Sequence, residues 1–284
     1  MPRTFTVRGE AGHGEQEKVR GVQVTILGSG SSGNATLVST ARTRLLLDAG
    51  FSRRETLRRL AAAGEPTDGV QAILISHEHG DHVQGLWALA QAWRATIYLT
   101  EGTWEALPWV RELPRVEKFR PGQRFPVGDI EVTPFATPHD AAEPVAFRFQ
   151  ADGAQAAVVT DIGFVTELIK QHVRGVDCLI MESNHDLELL RNGPYPWHVK
   201  QRVLSRLGHL SNLDLGRFLD ADYDGAARYL VLAHLSENNN LPELARMSAA
   251  EALTHRQVRF PLSLPRQAEL LLTSQHAPLG PIRL

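Results

Sequence analysis

The stretch His77-Glu78-His79-Gly80-Asp81-His82 decides the fold. It follows an apolar run at residues 72–75 and precedes a helical pattern that begins near Val83. Its histidine and aspartate side chains are ligands that bind borderline metal ions well. The first two histidines, two residues apart in an extended turn, can point the same way and hold one metal ion. The aspartate and the last histidine lie beyond the turn and can hold a second ion, and Gly80 is expected to free the backbone for the corner.

The composition is that of an ordinary globular protein without a strong charge bias. The chain has 284 residues and a formal net charge of −2, so it shows no overall basic excess typical of nucleic-acid-binding proteins, although this total would not reveal a local patch. Cys178 is the only cysteine, which rules out an intramolecular disulfide and favours a reducing compartment. It lies in an apolar stretch and is expected to be buried. Since there is neither an apolar run of membrane-spanning length nor an apolar signal-peptide core, we expect a cytoplasmic protein.

The order of the predicted elements indicates an α/β domain behind an N-terminal tail. Residues 1–20 are polar with little periodicity and are expected to be a flexible tail, and residues 21–284 are expected to form a single domain. The strands fall into two clusters separated by helices, which favours two sheets packed face to face with helices outside, a four-layer αββα sandwich. Strands are predicted at 22–27, 35–38, 44–47, 72–75, 97–99, on both sides of 128–129, and at 147–149, 156–159, 178–181, 229–233, 270–274 and 282–284, and helices at 51–63, 83–90, 101–107, 166–173, 198–207, 213–219 and 242–253.

Three further ligand-type residues stand at the polar ends of predicted strands. They are His139, Asp161 and His234, and each follows an apolar run. A single histidine at a strand end is more often a hydrogen-bonded structural residue than a ligand. Three such residues downstream of the first motif reverse that expectation, because loops at the same edge of a sheet would bring them together.

Motifs along most of the chain resemble one branch of a known superfamily. They are GSGSSGNA (28–35), SHEHGDH (76–82), PHDAAEP (138–144), TDIG (160–163), ESNHD (182–186), GHLSN (208–212) and AHLSENNN (233–240). In this order they resemble the YycJ/WalJ-type branch of the metallo-β-lactamase superfamily, which is related to the PhnP and RNase Z phosphodiesterases. The resemblance covers about residues 22–250 and implies the metallo-β-lactamase fold.

The resemblance also implies two divalent metal ions and a reaction. The implied ligands are His77, His79 and His139 for the first ion, Asp81, His82 and His234 for the second, and Asp161 as a bridge between them. Two cations roughly 3.5–4 Å apart can share a hydroxide and stabilise both the attacking and the leaving oxygen of a phosphate. The implied activity is therefore that of a metal-dependent phosphodiesterase, most specifically a 5′-to-3′ DNA exonuclease that uses a metal-bridging hydroxide. The nitrogen and oxygen donors suit Mn²⁺, Zn²⁺ or Fe²⁺, and the resemblance favours Mn²⁺.

Other polar residues near these motifs are candidates for catalysis or substrate binding. Asp81 could accept a proton, and His209 or His185 could protonate the leaving group, although each of these two histidines could equally cap a loop or brace a ligand. The glycine-rich loop is followed by a strand and not by a helix, which argues against a dinucleotide or P-loop site. It could line the rim of the site or simply turn a hairpin. The candidate substrate-binding residues are Ser31, Asn34, Ser236, Asn238 and Asn239.

Two other classes of function share parts of this pattern. A hydrolase of small molecules, acting on a cyclic phosphodiester, lactone or thioester, would use the same metal motif. A non-catalytic metal-binding protein would be expected to have lost some ligand positions, and here all seven are filled. The sequence shows neither an inserted second domain nor a long arm, so the substrate must be held by the rim of the site or by a partner subunit. DNA is the expected partner, RNA is an alternative, and the oligomeric state is left open.

Overall fold

A computed structural model describes residues 21–259 and 268–284, so the tail predicted at residues 1–20 lies outside the described residues. The strands are β1 (Gln23–Gly28), β2 (Ala35–Ser39), β3 (Arg44–Leu47), β4 (Ala72–Leu74), β5 (Thr96–Thr100), β6 (Val116–Phe119), β7 (Phe125–Val127), β8 (Ile130–Ala136), β9 (Val145–Ala151), β10 (Ala154–Val159), β11 (Cys178–Glu182), β12 (Tyr229–Ala233), β13 (Glu269–Leu272) and β14 (Leu279–Arg283). The helices are α1 (Arg53–Ala62), α2 (Gly80–Val83), α3 (Leu86–Trp93), α4 (Glu101–Ala106), α5 (Glu167–His172), α6 (Leu187–Asn192), α7 (Trp197–Val203), α8 (Asn212–Ala221) and α9 (Pro242–Arg259), with a 3₁₀ helix at Pro108–Glu112.

The strands form two sheets of seven, as the two predicted clusters indicated. One sheet has the order β14-β1-β2-β3-β4-β5-β6 and the other β13-β12-β11-β10-β9-β8-β7. In the first sheet β3, β4, β5 and β6 run parallel. In the second sheet β10, β11, β12 and β13 run parallel. Parallel strands bring their carboxyl ends to one edge of the sheet, and loops at that edge can build a common site.

Strand alternation separates the core into layers. Along β10, Ala156 and Val158 pack between the two sheets, whereas Ala157 and Val159 pack under the helices on the outer face. A third apolar cluster lies on the outer face of the other sheet, where Leu86 of α3 contributes to it. Successive side chains of a strand point to opposite faces, so a sheet that is covered on both faces needs apolar residues throughout. The result is the predicted four-layer αββα sandwich, and residues 21–284 as one domain stays a prediction.

The helix predicted at 83–90 begins three residues later than expected, and a separate short helix precedes it. Helix α2 ends at Val83 and α3 begins at Leu86. Between them Gly85 N donates to Ala49 O at 2.7 Å, and a Cβ on Gly85 would lie 1.9 Å from Phe51 O. This close approach of the loop at residues 49–51 separates α2 from α3. Strand β6 and helix α6 were not predicted.

Within the described ranges no helix is both long and apolar enough to cross a bilayer.

Candidate metal centre

Three histidine side chains meet at the edge where β4 and β8 end. His77 follows β4, His79 is the N-cap residue of α2, and His139 follows β8. His77 Nε2 lies 3.0 Å from His79 Nδ1, which lies 3.3 Å from His139 Nε2. Three imidazole nitrogens at this spacing can bind one metal ion. The structure thus brings together the three residues that the resemblance assigns to the first ion.

Hydrogen bonds fix which nitrogen of two of these histidines is free. The Ser76 hydroxyl donates to Asp48 Oδ2 at 3.0 Å, so its oxygen, 3.0 Å from His77 Nδ1, is left to accept a proton from that nitrogen. The carbonyl of Gly208 lies 3.2 Å from His139 Nδ1 and can only accept. The Nε2 atoms of His77 and His139 therefore carry lone pairs, and both lie within 3.3 Å of His79 Nδ1.

A second group shares His77 with the first and adds His82 and Asp161. His82 Nε2 lies 3.4 Å from Asp161 Oδ2 and 3.6 Å from Asp81 Oδ2. Burial acts to lower the pKa of His82, but the carboxylates of Asp48 and Asp161 outweigh this effect and raise the pKa to about 9. A cation is therefore strongly favoured at this position, which a metal ion would provide in place of the proton.

The third group consists of Asp161, Glu182, His209 and His234. His234 Nδ1 lies 3.1 Å from Asp161 Oδ1 and 3.3 Å from Glu182 Oε1. Burial acts to raise the pKa of Asp161, but the positive charges of His234 and His82 hold it well below its usual value. Asp161 is shared between the second and third groups, which is the position expected of a bridging carboxylate.

Buried polar atoms without hydrogen bonds support the fit of this pocket to metal ions. Oδ2 of Asp161 and both ring nitrogens of His234 are buried and have no hydrogen-bond partner among the described residues. Asp161 Oδ2 lies at ion-pair distance from His82 Nε2, and His234 Nδ1 lies at ion-pair distance from Asp161 Oδ1. A buried polar atom that is left unsatisfied costs about 1–3 kcal/mol. Divalent metal ions would satisfy these atoms, and the donor set of imidazole nitrogens and carboxylate oxygens suits such ions.

The backbone is strained where it supports the site. Among the described residues five non-glycine residues have positive φ, and three of them are Asp48 (59°), Asp161 (57°) and His234 (55°). Each stands immediately after a strand that ends at this edge, namely β3, β10 and β12, or one residue beyond it. Left-handed conformations of this kind are uncommon outside glycine and concentrate at functional sites.

Asp48 is a residue of the site that the sequence analysis did not identify. Its Oδ2 lies 2.9 Å from His82 Nδ1, and its Oδ1 accepts from Ser76 N at 2.8 Å. Because the carboxylate can only accept, it holds the proton of His82 on Nδ1 and leaves Nε2 free to bind metal. Its signal in the sequence was the same as that of Asp161, a carboxylate that closely follows an apolar strand.

Glu182 begins the ESNHD motif and was not among the residues predicted to act in the site. It is fully buried and lies 2.8 Å from His209 Nδ1, and its Oε2 accepts from Ile162 N at 2.8 Å. Burial acts to raise its pKa, but His209 lowers it, so the carboxylate stays charged. Glu182 thereby orients the ring of His209, whose side chain is only partly buried.

The candidate substrate residues differ in how accessible they are. Ser31 and Asn238 are exposed. Asn34 is buried, and its Nδ2 lies 3.3 Å from Asp81 Oδ2 and 3.1 Å from His82 Nε2. Ser236 Oγ accepts from the backbone N–H of the buried Asn239 at 3.1 Å. Asn34 thus braces the metal motif and Ser236 caps a turn, and substrate binding by all five stays a prediction.

His185 is buried and makes no side-chain hydrogen bond with the described residues. Burial lowers the pKa of its imidazole to about 4, so the ring is neutral at neutral pH. A neutral ring is a weaker candidate for an acid than His209, which has Glu182 as a partner.

The sequence matches known proteins over most of its length. A sequence model of the β-lactamase superfamily domain matches residues 43–258. Exodeoxyribonuclease YycJ of Bacillus anthracis is 39% identical over 236 residues, which cover 82% of this chain and 89% of the relative. Exodeoxyribonuclease WalJ of Streptococcus pneumoniae is 37% identical over 238 residues, which cover 82% of this chain and 88% of the relative.

The fold also matches solved structures. The metallo-β-lactamase fold protein YhfI from Bacillus subtilis superposes with a TM-score of 0.68 at 18% identity, covering 91% of this chain and 99% of YhfI. This likeness supports the fold, and at that identity it supports nothing more specific.

Proposed function

The chain belongs to the metallo-β-lactamase superfamily and, within it, to the family of the YycJ and WalJ proteins, and from this we propose that it is a metal-dependent phosphodiesterase that degrades DNA. The observation that carries the proposal is the convergence of three ligand groups, of which the first and second share His77 and the second and third share Asp161. Groups that overlap in this way can hold two adjacent cations, as phosphodiester hydrolysis in two-metal sites requires. The relatives that cover most of the chain are named as exodeoxyribonucleases.

We assign the metal ligands as the resemblance implied them. The assignment gives His77, His79 and His139 to the first ion, Asp81, His82 and His234 to the second, and Asp161 to both. When bound, the ions would neutralise the charge of a phosphate and make water a stronger nucleophile. The donor set contains no thiolate and suits Mn²⁺, Zn²⁺ or Fe²⁺, and among these we favour Mn²⁺ because the resemblance does.

Side chains of the chain itself then position and move protons. His209 donates a proton to the leaving oxygen, and Glu182, 2.8 Å from its Nδ1, keeps the other nitrogen directed away from the buried carboxylate. Asp81 is less buried than Asp161 and accepts a proton in the assigned mechanism. Asn34 fixes the position of Asp81 through the 3.3 Å contact of its amide.

The finer parts of the proposal concern substrate and direction. We propose 5′-to-3′ removal of nucleotides from DNA in the cytoplasm, as the resemblance and the single cysteine led us to expect. Ser31 and Asn238, which are exposed, are the candidate residues best placed to reach a substrate.

The test is a nuclease assay with the full chain stripped of metal and refilled separately with Mn²⁺ and Zn²⁺. Metal-dependent release of mononucleotides from 5′-labelled DNA is expected, and release from the 3′ end first would contradict the assigned direction. Asp81→Ala should abolish the activity and keep the fold. Asp68→Ala, a change of an exposed carboxylate in the loop before β4, is the matched control and should act as wild type. Hydrolysis of a cyclic phosphodiester or a thioester without any cleavage of DNA would favour the small-molecule alternative.

A further inference from the structure

Residues 191–207, here called the rim segment, lie directly beside the metal centre. The backbone N–H of Asp140, next to the ligand candidate His139, donates to Leu207 O at 3.1 Å. The N–H of His209 donates to Val203 O at 3.0 Å. The C-terminal part of the rim segment is therefore attached to the loops that carry two residues of the site.

The N-terminal part of the rim segment reaches the other side of the centre. Asn238 Nδ2 donates to the hydroxyl of Tyr195 at 3.2 Å, and Asn238 lies in the loop that follows the ligand candidate His234. Pro194 and Pro196 flank Tyr195, and each proline fixes one backbone dihedral angle. The segment thus spans the edge of the site with a restricted backbone.

The rim segment is largely exposed, although it contains large apolar side chains. None of residues 191–207 is buried, and helix α7 within it buries no side chain. Trp197 is 66% exposed, and Leu207 is 50% exposed. Tryptophan is normally well covered in a folded protein, so a largely exposed ring beside the metal centre points to a binding surface.

The charge of the rim segment is positive, in contrast to the whole chain. No acidic residue lies between Glu188 and Asp214. The same stretch contains four cations, namely Arg191, Lys200, Arg202 and Arg206. Two of the four cations have carboxylate partners, since Arg191 pairs with Glu188 and Arg202 with Asp140.

The other two cations are available to an anionic ligand. Within the described ranges no carboxylate lies at ion-pair distance from Lys200 or Arg206. Lys200 Nζ donates to Arg191 O at 2.7 Å, and the guanidinium of Arg206 lies over the ring of Phe164 at 4.2 Å. Both contacts fix the position of the charge without neutralising it.

We propose that the rim segment binds the single-stranded part of a DNA substrate, with a base stacked on Trp197 and phosphates bound by Lys200 and Arg206. The inference rests on the proposed function and adds the surface that holds the strand. Exposed aromatic rings combined with positive charge are the features by which proteins bind single strands without reading sequence. A base that is paired within a duplex is already stacked on both faces, so stacking on Trp197 requires an unpaired strand.

A second copy of the chain is the alternative partner for the exposed rim segment. A symmetric contact between two rim segments would place Lys200 and Arg206 of one copy near the same cations of the other, and like charges at an interface are unfavourable. The positive charge therefore favours a polyanion over self-association.

The test measures binding separately from cleavage. The full, metal-loaded protein is titrated into a fluorescein-labelled phosphorothioate oligothymidylate of 20 nucleotides, which resists hydrolysis, and the dissociation constant is read from fluorescence anisotropy. Trp197→Ala is expected to weaken binding roughly tenfold, and Trp197→Phe to retain much of the affinity, because the aromatic face carries the contact. The double change Lys200→Ala with Arg206→Ala should reduce the slope of log K against log salt by about 1.4, because each phosphate neutralised on a single strand accounts for about 0.7 of that slope.

Arg42→Ala is the matched control, because it removes an exposed cation far from the site. Arg42 precedes β3, whereas Asp48 of the site lies at the opposite end of that strand. It should leave the dissociation constant unchanged, and thermal unfolding should show that all variants fold.

Three outcomes would overturn the inference. They are equal affinity of Trp197→Ala and wild type, preference for a fully paired duplex over the single strand, and a concentration-dependent dimer that Trp197→Ala abolishes without affecting DNA binding. The proposed function fails separately, when the wild-type protein binds the oligonucleotide through Trp197 but does not degrade unmodified DNA.

Discussion

Replacing Asp48 by asparagine should weaken metal binding while leaving the fold intact. Asparagine has the shape of aspartate and also tolerates the left-handed backbone found at this position, where φ is 59°. The change removes the charge that holds the proton of His82 on Nδ1. It also places an amide N–H₂ group where Asp48 Oδ2 now lies, 2.9 Å from that nitrogen. Two donors then face each other, and His82 must rotate or move its proton to Nε2, which is the nitrogen needed for the metal.

The size of the effect follows from the hydrogen bond that the change removes. A hydrogen bond to a charged group contributes about 1.5–3 kcal/mol and a neutral one about 0.5–1.5 kcal/mol. The midpoints of these ranges differ by about 1.25 kcal/mol, which corresponds to a roughly eightfold change in affinity. Residues that orient metal-binding histidines typically change affinity about 10–100-fold when replaced. We therefore expect at least a tenfold weaker site at His82.

The assay is a competition titration with a metal chelator, read as metal bound per chain. Wild type should bind two ions tightly, and Asp48→Asn should bind one ion as before and the other at least tenfold more weakly. Asp152→Asn is the matched control, because Asp152 also has positive φ (48°) but lies in the exposed turn between β9 and β10. Equal affinities of both ions in Asp48→Asn and wild type would refute the assigned role of Asp48.

Three substitutions and one chemical modification test other parts of the structure. His209→Ala should lower turnover on DNA roughly 10²–10⁴-fold with both metals still bound, and loss of a metal would instead make His209 a ligand. Gly50→Ala should destabilise the fold by about 3 kcal/mol in denaturant unfolding, because its Cβ would lie 1.8 Å from Asp81 O. Gly80→Ala should cost little, since a Cβ there would meet no atom within 4 Å, and a loss as large as that of Gly50→Ala would contradict this reasoning. Burial raises the pKa of Cys178 to about 12, so an aromatic disulfide reagent should modify one thiol only after unfolding, and rapid reaction of the native protein would show that the thiol is accessible.

The sequence was sufficient for the layers of the fold and for the neighbourhood of the metal motif. The apolar strands could be recognised by composition, and ligand-type residues at their ends, such as Asp161 and His234, meet because parallel strands end at one edge. The prediction that Gly80 frees the backbone for a corner was wrong. Gly80 has no positive φ and is the first residue of α2. The close backbone contacts that leave no room for a Cβ atom occur instead at Gly50 and Gly85.

Features that depend on distant contacts could not be predicted. Asp48 and His82 are 34 positions apart, and Glu182 and His209 are 27 apart, so no local pattern joins them. The helix predicted at 198–207 ends at Val203, since the chain must turn toward His209. There a Cβ on Gly208 would lie 2.2 Å from Val203 O. The exposure of Trp197 is likewise a property of the folded surface.

The left-handed residues that follow β3, β10 and β12 have a consequence for how the chain can change over generations. Each costs about 1 kcal/mol in a conformation that glycine would adopt freely. Glycine in place of Asp161 would relieve this strain, but it would leave the buried rings of His82 and His234 without their carboxylate partner, and losing one partner of a buried ion pair costs about 3–5 kcal/mol. The preference of the backbone and the demands of the side chains are therefore opposed at these positions. The interactions of the side chains outweigh the strain and fix which residues can follow β10 and β12.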